Sequence, residues 1–130
     1  MDVIVCIDDN GGMLFGGRRQ SRDRVVNEDI LSAGGTLWIA PMSATLFPDA
    51  RVSEHFLDEA GAEERCFAED RALMPYLARI ERLILYRWNR VYPYDFCLDI
   101  DPAAVGMRLA EQTELVGHSH PSIIKEVWQR

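Results

Sequence analysis

The apolar positions of the chain fall into short runs whose period changes along the sequence. Val3-Ile4-Val5-Cys6-Ile7 is continuously apolar and stops at Asp8-Asp9-Asn10-Gly11. That is the pattern of a central strand buried on both faces. Thr36–Ala40 and Arg65–Ala68 read as further short strands, and Glu81–Trp88 as a longer one. Between them the spacing is helical. From about Ser21, which can cap, apolar residues at Val25, Val26, Ile30 and Leu31 lead to a stop at Gly34-Gly35. Pro41 suits the first turn of a short helix over Met42–Phe47, and Glu54–Ala60 follows, with Ser53 as cap and Gly61 as stop. Ala72–Ile80 carries Leu73, Tyr76, Leu77 and Ile80 at helical intervals, and Tyr94–Ile100 adds an edge segment.

The end of the chain alternates instead. Met107–Val116 and Ile123–Trp128 flank a turn at Gly117-His118-Ser119-His120-Pro121 and read as an antiparallel hairpin. The predicted architecture is an α/β domain: a mostly parallel central sheet, flanking helices and a C-terminal antiparallel hairpin. No linker, repeat or low-complexity tract divides residues 1–130, so one domain is expected.

Charge narrows the function classes. The chain has 14 basic and 21 acidic residues, a formal charge of −7. This argues against coating duplex DNA through its phosphates. Cys6, Cys66 and Cys97 are widely spaced, without a Cys-x-x-Cys pair, and sit in apolar runs. A reduced, cytoplasmic protein fits that usage. The N-terminus lacks the positive region and cleavage site of a signal peptide, and the apolar runs are too short to span a membrane.

The basic residues are also unevenly spread. All but Lys125 are Arg; four lie between Arg18 and Arg24, and two flank Trp88-Asn89. Codon usage in a GC-rich genome accounts for Arg in place of Lys, but not for clustering. Behind Gly16-Gly17 and ahead of a helix, Arg18, Arg19 and Arg22 can offer guanidinium forks and free N–H groups to an anion. The plainer reading is a solvated helix start whose Arg residues pair with Asp23, Glu28 and Asp29. Arg87, Trp88 and Tyr92 suit stacking on a ring and hydrogen-bonding its edge, or simply cover the sheet. His118 and His120 can supply two metal ligands, yet no third lies nearby, and an exposed turn is the expected reading. Glu69-Asp70 suits a divalent cation, or Asp70 caps the next helix. Met13, Met42, Met74 and Met107 read as core filler.

The order of elements, together with Ile7-Asp8-Asp9-Asn10-Gly11-Gly12-Met13-Leu14-Phe15-Gly16-Gly17, resembles a compact dihydrofolate reductase. Thr36–Phe47 resembles that family's next strand and helix, Ser53–Leu77 its helix–strand–helix run, and Leu83–Leu98 with Met107–Trp128 its closing strands. The resemblance implies the family's fold, a loop over the active site at Gly11–Gly17, and a helix-borne carboxylate facing substrate. Asp23 follows the glycine segment at nearly the family's distance and is the candidate for that carboxylate, ahead of Glu28 and Asp29.

The departures bear on the cofactor. The family's Gly-Arg-x-Thr, which seats cofactor phosphates, is replaced by Ala40-Pro41-Met42-Ser43, and its Gly-Gly pair by Ala68-Glu69-Asp70. Each carboxylate facing a pyrophosphate at about 4 Å costs roughly 1 to 4 kcal/mol. A nicotinamide cofactor in the usual pose is therefore not expected. The family's Pro-Trp gives way to Arg18-Arg19. Arg18-Arg19-Gln20-Ser21, Arg87-Trp88-Asn89-Arg90 and Ser119-His120 also resemble segments of a group of short bacterial proteins, some labelled ribonuclease Z. The His-x-His-x-Asp-His run that this label requires is absent, because Pro121-Ser122-Ile123 follows His118-Ser119-His120.

The expected function is therefore binding of a small anionic or phosphate-bearing molecule under the Gly11–Gly17 segment. Gly12, Gly16, Gly17, Arg18, Arg19 and Arg22 would hold it, with Arg87 and Trp88 on the opposite wall. One alternative is an NADPH-dependent reductase with an altered cofactor site. Another is a non-catalytic interaction module, pairing with itself as a homodimer or with a partner.

Overall fold

Strand β1 (Asp2–Ile7) lies at the centre of a computed structural model that describes residues 1–130. Its odd positions, Val3, Val5 and Ile7, enter one apolar cluster, and Ile4 enters a second on the opposite face. Pleating sends alternate side chains to opposite faces, so an unbroken apolar run is what a strand covered on both sides requires. It pairs in parallel with β6 (Arg65–Phe67) and β7 (Arg82–Arg87). Strands β4 (Leu37–Ile39) and β5 (Arg51–Val52) extend the parallel part beyond β6.

On the other side, β10 (Ile123–Gln129) runs antiparallel to β7, and β9 (Arg108–Leu115) antiparallel to β10. The seven-stranded order is β5-β4-β6-β1-β7-β10-β9. This is the mostly parallel α/β sheet with an antiparallel hairpin that the sequence predicts.

One face is covered by helix α1 (Arg24–Ser32), which buries Val26 and Ile30, one turn apart. Burial of each such side chain contributes about 1.5–3 kcal/mol. Helix α2 (Phe56–Glu59) and a 3-10 segment at Met74–Arg79 cover the other, with Phe56, Leu57, Leu73 and Ile80 in its core.

Several elements differ from their sequence pattern. The Gly11–Gly17 segment is not an open loop. Strand β2 (Gly12–Phe15) turns back into β3 (Arg18–Arg19), and β8 (Phe96–Cys97) joins them in a separate three-stranded sheet. Phe15 pairs with Arg18 across Gly16-Gly17, whose φ angles of 59° and 74° are those of a two-residue hairpin turn. The segments expected as helices at Met42–Phe47 and Ala72–Ile80 are 3-10 turns, at Pro41–Ser43 and Met74–Arg79. The helix expected over Glu54–Ala60 shrinks to the single turn of α2. Asp70 does not cap the Met74–Arg79 segment: Asp99 accepts from the N–H groups of Leu73 and Met74 instead.

No helix is long and apolar enough to cross a membrane. Cys97 is exposed, whereas Cys66 lies in the core and burial pushes its thiol up to about 12. Burial, with the Glu69 carboxylate adding to it, also pushes Cys6 up. An aromatic disulfide reagent at pH 8 is expected to titrate Cys97 rapidly in the native protein, and Cys66 only after denaturant. A fast-reacting Cys66 would contradict this packing.

Candidate functional site

At the C-terminal ends of β1 and β7 the chain closes on itself through two buried carboxylates. Asp8 accepts from the N–H groups of Asn10, Gly12 and Tyr92, which fixes the exit of β1 against the segment after β7. Trp88 donates its N–H to Ile7 O, and its ring packs inward, 3% exposed. Asn89 follows with a φ of 60°, the only non-glycine residue in the left-handed region. Asn tolerates that region better than most side chains.

The second carboxylate is Asp23, the N-cap of α1. The sequence offers Ser21 as the cap; the helix begins later, at Arg24, and Asp23 caps it. Asp23 Oδ1 accepts from the N–H groups of Val25 and His118, each at 2.9 Å. Oδ2 accepts from Ser119 N–H at 2.8 Å and from His120 Nδ1 at 2.9 Å. Burial alone would raise the pKa of this carboxyl. The donors from His118, His120, Ser119 and Val25 outweigh burial and hold it well below the usual carboxylate range.

An ionised Asp23 only accepts, so Nδ1 of His120 carries the proton. The other ring nitrogen, Nε2, lies 2.9 Å from Ser21 Oγ and 3.1 Å from the Tyr92 hydroxyl. Trp88 stacks on the imidazole, with centroids 4.7 Å apart. His120 is therefore not the exposed turn residue expected: it is 3% exposed. Its partner in the proposed metal pair, His118, faces Arg24 instead, with Nδ1 3.1 Å from the guanidinium. Gly117 makes the turn tight enough. A Cβ there would sit 2.6 Å from Asp23 Oδ2 and 2.7 Å from His120 O.

The residues expected to bind an anion are dispersed by the fold. Adjacent strand positions face opposite ways. Arg18 points to solvent, while Arg19 grips Glu69 through two nitrogens at 2.8 and 2.9 Å and donates to Met42 O. Ser43 Oγ donates to the same carboxylate at 2.7 Å. Arg22 is exposed and forms no ion pair, and Arg24 lies 3.9 Å from Glu28. Arg87 pairs with Glu126 at 2.9 Å. Trp88 lies behind His120 rather than on an open wall. Asp29 accepts from Lys125 and Tyr86 on the far side of α1, and Asp70 pairs with Arg71. Gly16 and Gly17 form the hairpin turn. Gly12 packs so closely that a Cβ would meet Tyr94 at 2.7 Å and Gln20 at 2.6 Å. Protein, not a cavity, lies beneath the hairpin. A cavity of about 320 Å³ between Leu31, Leu37, Phe47 and Arg51 lies elsewhere.

The residues at the ends of β4 and β6 do not fit a cofactor's pyrophosphate. Where phosphate oxygens would need N–H donors, the Glu69 carboxylate is already present, 8% exposed and neutralised by Arg19. The fork that would serve an anionic ligand serves an internal one.

Two substitutions separate these networks. Asp23→Asn is expected to lower stability by about 3 kcal/mol, because charge-assisted bonds are lost in a buried site. The depressed pKa means that this contribution is complete above the unfolded value of about 3.9 and is lost as pH falls towards the folded value. The difference in urea-unfolding free energy between wild type and Asp23→Asn should therefore be flat above about pH 5 and shrink below about pH 4. Arg19→Met, which strands Glu69, is expected to cost about 3–5 kcal/mol, and Arg19→Met/Glu69→Gln markedly less. An additive double variant would contradict the pairing.

No family profile and no curated protein matches the chain. Among solved structures, a dihydrofolate reductase from Enterococcus faecalis complexed with NADP(H) and RAB-propyl superposes on it with a TM-score of 0.70 at 12% identity. The match covers 99% of this chain and 95% of that one. The chain has the dihydrofolate reductase fold, at a level of identity that speaks for topology alone.

Proposed function

We propose that the chain binds a small anionic, phosphate-bearing molecule at the surface between the β2–β3 turn, the start of α1 and the Gly117–His120 turn. The observation that carries this reading is the free state of the cations there. Arg18 and Arg22 are exposed and form no ion pair, in a chain whose formal charge is −7. The N–H groups of Ser21, Arg22 and Asp23 donate to no other backbone group, and they precede the positive end of a nine-residue helix. Arg24 and His118 stand beside them. Arg19 and Arg87 are taken up by Glu69 and Glu126, and Trp88 lies against His120, so none of the three is offered to the ligand.

The second reading, a reductase using a nicotinamide cofactor, draws on the fold, because the E. faecalis enzyme of the same topology carries NADP(H). Glu69 weighs against the usual pose. The third, an interaction module, draws on strand β9, an edge exposed along nearly its whole length.

Thermal unfolding with added pyrophosphate or NADPH separates the three. Pyrophosphate is expected to raise the midpoint, corresponding to about 2.7 kcal/mol at a hundredfold excess over Kd. The shift should fall with salt and disappear in Arg18→Ala/Arg22→Ala. A shift with NADPH alone that survives this double variant would establish the reductase reading. No shift with either, with a mass that rises with concentration in light scattering, would establish the interaction module.

A further inference from the structure

We infer that Ser21 is a nucleophile, activated by His120 and Asp23, that cleaves carboxylic esters of small anionic acids. The anionic character of the substrate rests on the reading above; the nucleophile rests on geometry alone. Ser21 Oγ, His120 Nε2, His120 Nδ1 and Asp23 Oδ2 form a chain with 2.9 Å at each of its two hydrogen bonds. The imidazole comes from a turn 97 residues away from Asp23, so local sequence does not impose the alignment. Hydroxyl, imidazole and carboxylate in this order are what acyl transfer by serine requires, on whatever fold they occur.

Burial grades the chain in the useful direction. The Asp23 side chain is 0% exposed and His120 3%, while Ser21 is half-buried at the surface. The carboxylate is held by three backbone N–H groups besides the ring, so it fixes the tautomer that leaves Nε2 free to take a proton. Trp88 holds the ring plane from one face. An N-cap and a closed turn need only Asp23 and those backbone donors. The convergence of the Ser21 and Tyr92 hydroxyls on Nε2 goes beyond what capping uses. Beside the hydroxyl, the N–H of Arg22 donates to no other backbone group and stands ahead of the helix start, available to a developing oxyanion.

The step balances without a co-reactant other than water. Ser21 Oγ bonds to the ester carbonyl carbon as its proton passes to His120 Nε2, and the carbonyl π pair moves onto oxygen. Collapse of this intermediate breaks the carbon–alkoxy bond, and the leaving alcohol takes the proton from His120. Water then gives a proton to Nε2 as it attacks the acyl-serine, and collapse frees the acid and returns the proton to Ser21. Ser21 and His120 are the catalytic residues. Asp23 acts through the ring and is a positioning residue.

Labelling of the intact chain by a fluorophosphonate, read by peptide mass spectrometry, tests the nucleophile. The expected result is one adduct, on Ser21, absent in Ser21→Ala and formed roughly a hundredfold more slowly in His120→Gln. Asp23→Asn, which removes the acceptor that holds the ring's tautomer, should lower the labelling rate, and Asp23→Glu should recover part of it. If His120→Gln fails to fold, Ser21→Ala still decides. No adduct, or an equal adduct in Ser21→Ala, overturns the nucleophile. Hydrolysis of p-nitrophenyl hydrogen succinate and of p-nitrophenyl acetate then tests the substrate class. A preference for the charged ester that Arg22→Ala removes is expected. Labelling of Ser21 without that preference overturns the anionic substrate alone, and a pyrophosphate shift without labelling overturns the nucleophile alone.

Discussion

A carboxylate with no exposed surface has to be given donors by the chain, and much of the C-terminal edge of this molecule follows from that demand at Asp23. Two of its donors are residues of the β9–β10 turn, a third is the first turn of α1, and the fourth is the His120 ring. The turn can come close enough only because Gly117 has no Cβ. The histidine ring then lies between Trp88 and the Ser21–Tyr92 hydroxyls. One buried charge thus joins the start of the helix to the closing hairpin and sets the direction of an imidazole.

A further buried carboxylate, Glu69, is handled by different means. It lies at the end of β6, where the resemblance to the reductases leads one to expect close backbone approach to a phosphate. Arg19 and Ser43 close it off from within. The fold is shared with dihydrofolate reductase, and a shared fold does not by itself set the chemistry at the strand ends.

Elements whose identity depends on their own residues were legible in the sequence. The unbroken apolar run of β1, the short strands β4 and β6, the longer β7, and the alternation of β9 and β10 all sit where their patterns indicate. The β2–β3 hairpin is obscured because the glycine-rich Gly11–Gly17 run reads as a loop over a site, whereas the φ angles of Gly16-Gly17 belong to a tight turn. The Ala72–Ile80 segment has helical spacing, and the structure closes it as a 3-10 turn over Met74–Arg79. Asp23 was legible as a carboxylate of interest and Ser21 as a polar residue at the helix start. Their relation to His120 was not, because it joins positions 97 and 99 residues apart, and no local period records such a contact. Arg19 and Glu69 were each noticed separately, one as a donor to an anion and one as a repeller of it. Fifty residues separate them, and only the fold reveals that each answers the other.

That mutual dependence limits the paths open to the crevice under stepwise change. Removing Arg19 first leaves a buried charge without a counter-ion, and removing Glu69 first leaves the Arg19 guanidinium with Met42 O alone and the Ser43 hydroxyl without its acceptor. Each residue is thus held in place by the other, since either change alone costs stability that the paired change largely avoids. The pair acts as a latch on the crevice: neither partner has a neutral first replacement.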